Sequence, residues 1–338
     1  MKSATYIKVV LLVVFCVSII NAQNISKSGT TAGQFLKIDV GARAIGMGGA
    51  FTAISDDASS IYWNPAGLAS INSSEAIFNH TDWIADVKYD FAGFTTYLDG
   101  VGTIGAFFNL MSMGDMLVRT EQNPEGTGEN FTMQGISMGL SIARNLTDKF
   151  SIGFNIKYVQ EDLWHMSSSG FALDAGVMYK IPILNEFRLA ANISNFGTKM
   201  QLSGRDILII TQQGPGGGNL INTHIEMDEF DLPLLFRVGV AADLLKEEEY
   251  RLTAAIDAVH PNDHTEYVNC GTEVTWNEIV MLRAGYKSLF ETESEQGLTF
   301  GAGINYRLAG SMVVKVDYAY EDFGRLKEIH YITVGVKF

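Results

Sequence analysis

The last residues of the chain, EIHYITVGVKF, place Ile332, Val334, Val336 and Phe338 at every second position, with Thr333, Gly335 and Lys337 between them. Alternation of this kind puts apolar side chains on one face of a β-strand and polar ones on the other. The period recurs in Leu298, Phe300, Ala302, Ile304 and Tyr306 against Thr299, Gly301, Gly303, Asn305 and Arg307. It returns in Phe236, Val238 and Val240 against Arg237, Gly239 and Asp243. Followed along the chain, it predicts fourteen strands, near 74–83, 89–98, 101–111, 131–144, 148–160, 169–180, 186–196, 233–244, 249–260, 265–276, 279–289, 296–307, 311–320 and 327–338.

The connections carry a second pattern. Tight turns at Asp99-Gly100, Leu146-Thr147, Ile183–Asn185, Lys246–Glu248, Asn277-Glu278 and Leu308–Gly310 alternate with longer segments. Those segments are Ser112–Asn130, Asp162–Ser168, Gly197–Leu232, His260–His264, Glu291–Glu295 and Glu321–Leu326. Outer-membrane barrels alternate short periplasmic turns with longer external loops in this way. The polar faces carry Asp174, Asp243, Asp257, Glu273 and Asp317 beside Lys157, Arg188, Arg237, Arg251, Arg283, Lys315 and Lys337. Charges of both signs pair inside a wet or filled lumen, whereas a Lys or Arg facing lipid near the midplane costs about 2–4 kcal/mol. A soluble β-sandwich is the competing reading: it would bury the apolar faces and show these charges to water. The leader, the terminal Phe338 and the absence of disulfides favour the membrane. The predicted class is all-β, a 14-stranded antiparallel transmembrane β-barrel with a short, partly helical N-terminal plug.

Composition sharpens this. Hydrophobic residues make up 47% of the chain, yet after residue 22 no apolar run approaches the roughly 18 residues of a membrane helix, so the apolar content is spread as alternation. Ahead of that point Lys2 and Lys8 precede the apolar stretch Val9–Ile20, and Ala22 offers a small residue for cleavage. Residues 1–22 are predicted to be a secretory signal peptide, with Gln23 starting the mature protein in the bacterial outer membrane. Cys16 follows Phe15 rather than a small residue, which argues against lipid attachment. Cleavage leaves Cys270 alone, so no intramolecular disulfide can form. The formal net charge is −14, or −16 once Lys2 and Lys8 are removed, which argues against nucleic acid as a partner.

About eight strands fill their own interior with side chains and about sixteen leave an aqueous channel, so fourteen enclose space that needs filling. Residues 23–73 do not alternate and are predicted to form the plug, with the barrel over 74–338. Ser55 or Asp56 is placed to cap a short helix over Ala58–Tyr62, which Pro65 would stop. The stretch GARAIGMGGAFTAISDDASSIYWNPAGLA, residues 41–69, resembles the N-terminal hatch of FadL-like outer-membrane transporters, which commonly carry Asn-Pro-Ala after an acid-rich helical turn. HTDWIADVKYDFAGF, residues 80–94, is more specifically similar to the PorV/PorQ branch of that superfamily. The resemblance covers residues 30–110 most strongly and continues as a general barrel pattern. It implies a fourteen-stranded plugged barrel working in type IX protein secretion. Its partners would be outer-membrane lipid and secretion-system proteins. A PorV-type shuttle would also bind cargo with C-terminal sorting domains, and a PorQ-type component the attachment complex. The FadL branch implies instead a transporter of small hydrophobic molecules, with the plug gating passage. On either reading Asp56, Asp57, Trp63, Asn64 and Pro65 are the candidate plug and gating residues; the plainer alternative is that they fold and anchor the plug.

Other motifs carry less. Gly41, Gly46, Gly48 and Gly49 lack the preceding strand and the Gly-Lys-Ser/Thr of a nucleotide loop, and GPGGG at 214–218 reads as flexible loop. His260 and His264 in HPNDH have the separation of a helical metal pair, but Pro261 removes the helix. Asp228, Glu229 and Asp231 offer hard oxygens to calcium without EF-hand spacing. No nucleophile elbow or metal-hydrolase motif occurs, so no enzyme, cofactor or metal site is predicted. The natural partner-binding surfaces are the segments 112–130 and 197–232. The second of these combines apolar Ile207, Leu208, Ile209 and Ile210 with acidic Asp228, Glu229 and Asp231.

Overall fold

When one face of an antiparallel pair lies in hydrocarbon, a slip of one residue would turn every lumenal charge into lipid, so the alternation fixes the register. The computed structural model describes residues 27–183, 185–213, 219–291, 294–308 and 311–338, and its wall keeps that alternation apart from register shifts near Leu173, Asp243 and Val268. The leader expected over 1–22 and the GPGGG loop lie outside the described residues. The barrel strands are β1 (Glu75–Asp82), β2 (Lys88–Leu98), β3 (Gly102–Ser112), β4 (Met133–Asn145), β5 (Phe150–Leu163), β6 (Met166–Ile181) and β7 (Phe187–Gly197). They continue with β8 (Leu235–Lys246), β9 (Tyr250–Pro261), β10 (Tyr267–Trp276), β11 (Val280–Leu289), β12 (Leu298–Arg307), β13 (Val313–Asp322) and β14 (Glu328–Lys337). Each pairs antiparallel with the next, and β1 pairs with β14 from Glu75↔Lys337 to Asp82↔His330. Closure leaves no free sheet edge in the wall. All fourteen fall within three residues of the spans read from alternation.

Outward positions are apolar and open, as lipid-facing residues should be: Leu140, Phe171 and Leu282 are 64, 57 and 60% exposed. Their inward neighbours, among them Asn155, Asp174, Asp257, Glu273 and Arg283, are buried. Among the described residues no helix is long and apolar enough to cross a membrane. One connection departs from expectation. The loop anticipated over 162–168 is a two-residue turn at Trp164-His165, because Leu163↔Met166 and Asp162↔Ser167 still pair. The strands here run past the lipid, where neither face need be apolar, and the polar Ser167–Ser169 therefore reads as loop.

The N-terminal segment fills the lumen. It enters at the long-loop end, where Thr31 bridges Asp231 and the Ala32 amide donates to the Asp231 carbonyl at 2.9 Å. It leaves at the short-turn end, where Ser74 and Phe338 exchange backbone hydrogen bonds of 3.0 and 2.9 Å. Between lie a 3-10 turn at Gln34–Lys37, helix α1 (Ala42–Gly46), helix α2 (Ser60–Trp63) and a 3-10 helix at Pro65–Ser70. Val40, Ala42, Ala44, Ile45, Met47, Phe51 and Leu68 along it are buried. The helix expected over Ala58–Tyr62 is displaced to Ser60–Trp63, and neither Ser55 nor Asp56 caps it. The Ser55 hydroxyl instead donates to the Phe51 carbonyl, and Asp56 binds Arg43. Asp57 makes the local turn, accepting from the Ser59 amide at 2.9 Å. Pro65 does more than stop α2: it opens the following 3-10 helix at a position where its missing N–H costs nothing.

Candidate functional site

The Asn-Pro pair is held by one wall of the barrel. Asn64 is fully buried; its amide donates to the Thr52 carbonyl at 3.0 Å and to the Val177 carbonyl of β6 at 3.3 Å. Its side-chain oxygen accepts from the Ala66 amide at 3.1 Å, capping the 3-10 helix. The wall has no side chains where this pair docks. A Cβ on Gly176 would lie 2.0 Å from the Asn64 oxygen, and one on Gly153 would lie 2.2 Å from the Pro65 carbonyl carbon. Trp63 donates its indole N–H to the Val40 carbonyl at 2.8 Å and packs edge-on to Phe51 and Tyr62. Arg237 of β8 lies over the Trp63 ring, 5.4 Å from its centre, adding a cation–π contact.

The opposite wall is gripped by charge. Arg43 of α1 forks onto Glu273 of β10 through Nε at 3.0 Å and Nη2 at 3.1 Å, and its Nη1 binds both Asp56 and Asp57. Glu273 is shared with Arg283 of β11, which in turn binds Asp317 of β13 at 2.6 Å. Nearer the long loops, Lys287 joins Asp39 at 2.7 Å to Glu321 at 2.8 Å, and Tyr331 donates to the same Glu321. Asp257 of β9 accepts the backbone amides of Phe51 and Thr52 at 3.0 and 2.8 Å. Here too the backbones touch: a Cβ on Gly271 would lie 2.1 Å from the Met47 carbonyl oxygen, and one on Gly285 would lie 2.2 Å from the Gly48 nitrogen. The structure thus brings Asp56 and Asp57 together through Arg43 on one side, and seats Asn64 and Pro65 on the other.

Most inward charges fall where alternation placed them; Lys337 lies exposed at the barrel mouth. The residues that sequence reasoning missed are Arg43, Asp39, Glu75, Lys287 and Glu321. Arg43 left a readable trace: it is the only Lys or Arg between Lys37 and Lys88, in a segment containing two adjacent acids. Buried inside, those acids need a cation.

The segment divides the lumen into two vestibules, about 690 Å³ at the long-loop end and about 750 Å³ at the short-turn end. A void of about 20 Å³ beside Leu36, Tyr62, Phe107, Lys157 and Asp174 lies between segment and wall, room for little more than one water. At the long-loop end Asp263 accepts from Thr31, Gln34 and Lys37, each at 2.8 Å. Burial alone pushes its carboxyl up, but the hydrogen bonds from Gln34 and Lys37 outweigh this and hold it below its usual value.

Outside the barrel the excursion between β7 and β8 folds on itself. Leu208–Gln213 pairs with Asn219–His224 in a ribbon that, among the described residues, joins no other strand. Ile207 is half-buried at its base, while Leu208, Ile209 and Ile210 are exposed, Ile210 to 68%, and Leu220 opposite to 70%. Glu229-Phe230 pairs with Met200-Gln201, and Asp231 meets the N-terminal segment through its backbone. The carboxylates of Asp228, Glu229 and Asp231 are exposed, and no group of three or more potential metal ligands forms among the described residues. His260 and His264 bind separate acids, Glu266 and Glu291.

A closed fourteen-strand barrel with an occupied lumen and an apolar belt is the architecture of an outer-membrane barrel. The Pseudomonas putida toluene transporter TodX matches with a TM-score of 0.55 at 14% identity, over 88% of this chain and 97% of that one. The Ralstonia pickettii toluene transporter TbuX matches with a TM-score of 0.56 at 11% identity, over 88% and 97%. A Pseudomonas aeruginosa FadL homologue matches with a TM-score of 0.50 at 10% identity, over 94% and 98%. At such identities the likeness is one of fold. Among curated proteins none matches. The family described as type IX secretion system protein PorV matches residues 21–260, and the chain belongs to that family.

Proposed function

We propose that this protein, exported and freed of residues 1–22, is an outer-membrane component of type IX secretion whose external loops bind cargo sorting domains or attachment-complex partners. The lumenal segment, including Asp56, Asp57, Trp63, Asn64 and Pro65, closes the pore beneath them. The observation that carries this reading is the ribbon at 208–224. An unsupported two-stranded ribbon with exposed Ile210 and Leu220 has unpaired edges that offer backbone hydrogen bonds and apolar contacts to an incoming strand. Contiguous exposed apolar surface of this kind marks contact with another protein or a membrane. Asp228, Glu229 and Asp231 supply charge at its base.

Passage of a small hydrophobic molecule is the competing function, and the name of the toluene transporters raises it. It needs an apolar pocket beside the lumenal segment; the void between segment and wall, about 20 Å³, is too small, and the vestibules on either side of the segment are lined by charges such as Lys37, Asp39 and Lys287 or Arg43, Asp56 and Asp57. Gentle detergent extraction of the tagged protein, with identification of both bound proteins and bound lipids, tests the proposal. Recovery of proteins bearing C-terminal sorting domains is the expected result. Stoichiometric fatty or aromatic ligand without such proteins would replace the proposal with transport.

A further inference from the structure

The vestibule at the short-turn, periplasmic end raises a separate question, independent of the external loops. At about 750 Å³ it has the size of a small-molecule site. One wall is strongly positive. Arg307 of β12, Lys315 of β13 and Lys337 of β14 all line it, and the register sets them on neighbouring strands: Arg307 pairs with Val313, which pairs with Lys337, and Asn305 pairs with Lys315. Arg283 of β11 stands deeper behind them, its guanidinium lying over Gly303, where a Cβ would come within 2.9 Å of it.

The acids that could neutralise this wall are already engaged. Asp317 is held by Arg283 at 2.6 Å, Glu273, Asp56 and Asp57 by Arg43, and Glu278 by Arg251 at 3.3 Å. Glu75 is held by Lys315 at 2.6 Å and lies within Coulombic reach of Lys337. Arg307 and Lys337 form no ion pair among the described residues, and both are exposed to the vestibule. Arg283, with a side chain fully shielded from bulk water, has an Nη2 with no acceptor. Counted with Glu75, the lining balances, six cations against six carboxylates; the surplus is confined to the mouth, where Arg307 and Lys337 stand. Uncompensated cations around a concave site concentrate anions there, and a guanidinium beside an ammonium matches a polyvalent oxyanion.

We propose that the periplasmic vestibule is a binding site for a polyvalent oxyanion, phosphate or carboxylate. Arg307 and Lys337 meet the anion, and Lys315 and Arg283 supply the field behind them. The test is calorimetric titration of the full-length protein in detergent with inorganic pyrophosphate and, separately, citrate, at constant ionic strength set with chloride. Saturable binding of at least one of the two is expected, and the tighter one identifies whether the natural group is phosphate or carboxylate. The double variant R307Q/K337Q, which breaks none of the ion pairs above, should weaken that binding at least tenfold. R325Q, on the external side of the barrel, should leave it unchanged. The absence of saturable binding to either anion, or equal binding by wild type and R307Q/K337Q, would overturn the proposal.

Discussion

Two stretches of this chain leave the barrel wall for more than thirty residues, and they behave in opposite ways. The lumenal segment, 31–73, buries its apolar side chains, pairs Arg43 with Glu273, Asp56 and Asp57, and presses its backbone against wall glycines on both sides. The external excursion, 198–232, pairs mainly with itself and leaves Leu208, Ile209, Ile210 and Leu220 in the open. In the first, every charged side chain has a partner within the molecule. In the second, the exposed apolar residues have none. The difference is one of self-sufficiency, and it is the basis for proposing that the first closes the pore and the second meets a partner, although the more specific sequence motif, Asn-Pro-Ala, lies in the first.

The comparison breaks most readily at Arg43. Arg43→Ala leaves Glu273, Asp56 and Asp57 short of a cation in the lumen, and breaking a buried pair in this way costs about 3–5 kcal/mol. Thermal unfolding in detergent should show a lowered midpoint, and single-channel recording a rise in ion conductance as the segment loosens. Wild-type conductance in the variant would mean that the segment is held elsewhere. Next in size is Gly176→Ala, whose added methyl would sit 2.0 Å from the Asn64 oxygen and should destabilise the barrel by about 1–3 kcal/mol through overpacking. Asn64→Ala, which removes the cap and the bond to Val177, should cost about 0.5–2 kcal/mol.

A smaller effect is expected from pH. The Asp263 carboxyl is held below its usual value, so its contribution to anchoring residues 31–37 is fully present above the ordinary carboxylate pKa of about 3.9. It is lost as pH falls through the lower folded value. Protease nicking ahead of Gly41 should therefore rise in acid below about pH 4. In Asp263→Asn that acid-dependent step should be missing; an unchanged acid profile in the variant would assign the effect to another group. The smallest stability effect belongs to the ribbon: Ile210→Asp should move the unfolding midpoint by no more than about 0.5 kcal/mol, while weakening partner binding.

The wall was legible in the sequence because lipid enforces it residue by residue. Ile332, Val334 and Val336 face hydrocarbon, and period two runs through the wall, interrupted only by register shifts such as those near Leu173, Asp243 and Val268. Legibility failed where that pressure lapses, as at Ser167–Ser169, where strands past the membrane look like loop. It failed again inside the lumen, where contacts link residues far apart in the chain: Arg43 to Glu273, Asp39 to Lys287 and Asp257 to the amides of Phe51 and Thr52. No local pattern encodes such pairings. The helix at Ser60–Trp63 begins two residues later than capping propensity alone places it, because Ser55 back-bonds to the Phe51 carbonyl four residues earlier and Arg43 claims Asp56.

The most direct measurement removes residues 205–225 and compares the variant with wild type for recovery of sorting-domain cargo or attachment-complex proteins from mildly extracted outer membranes. The account predicts that the variant inserts, resists heat and blocks ion flow as wild type does, yet recovers none of these partners. Undiminished recovery by a correctly folded variant would contradict it and return the partner site to the lumen.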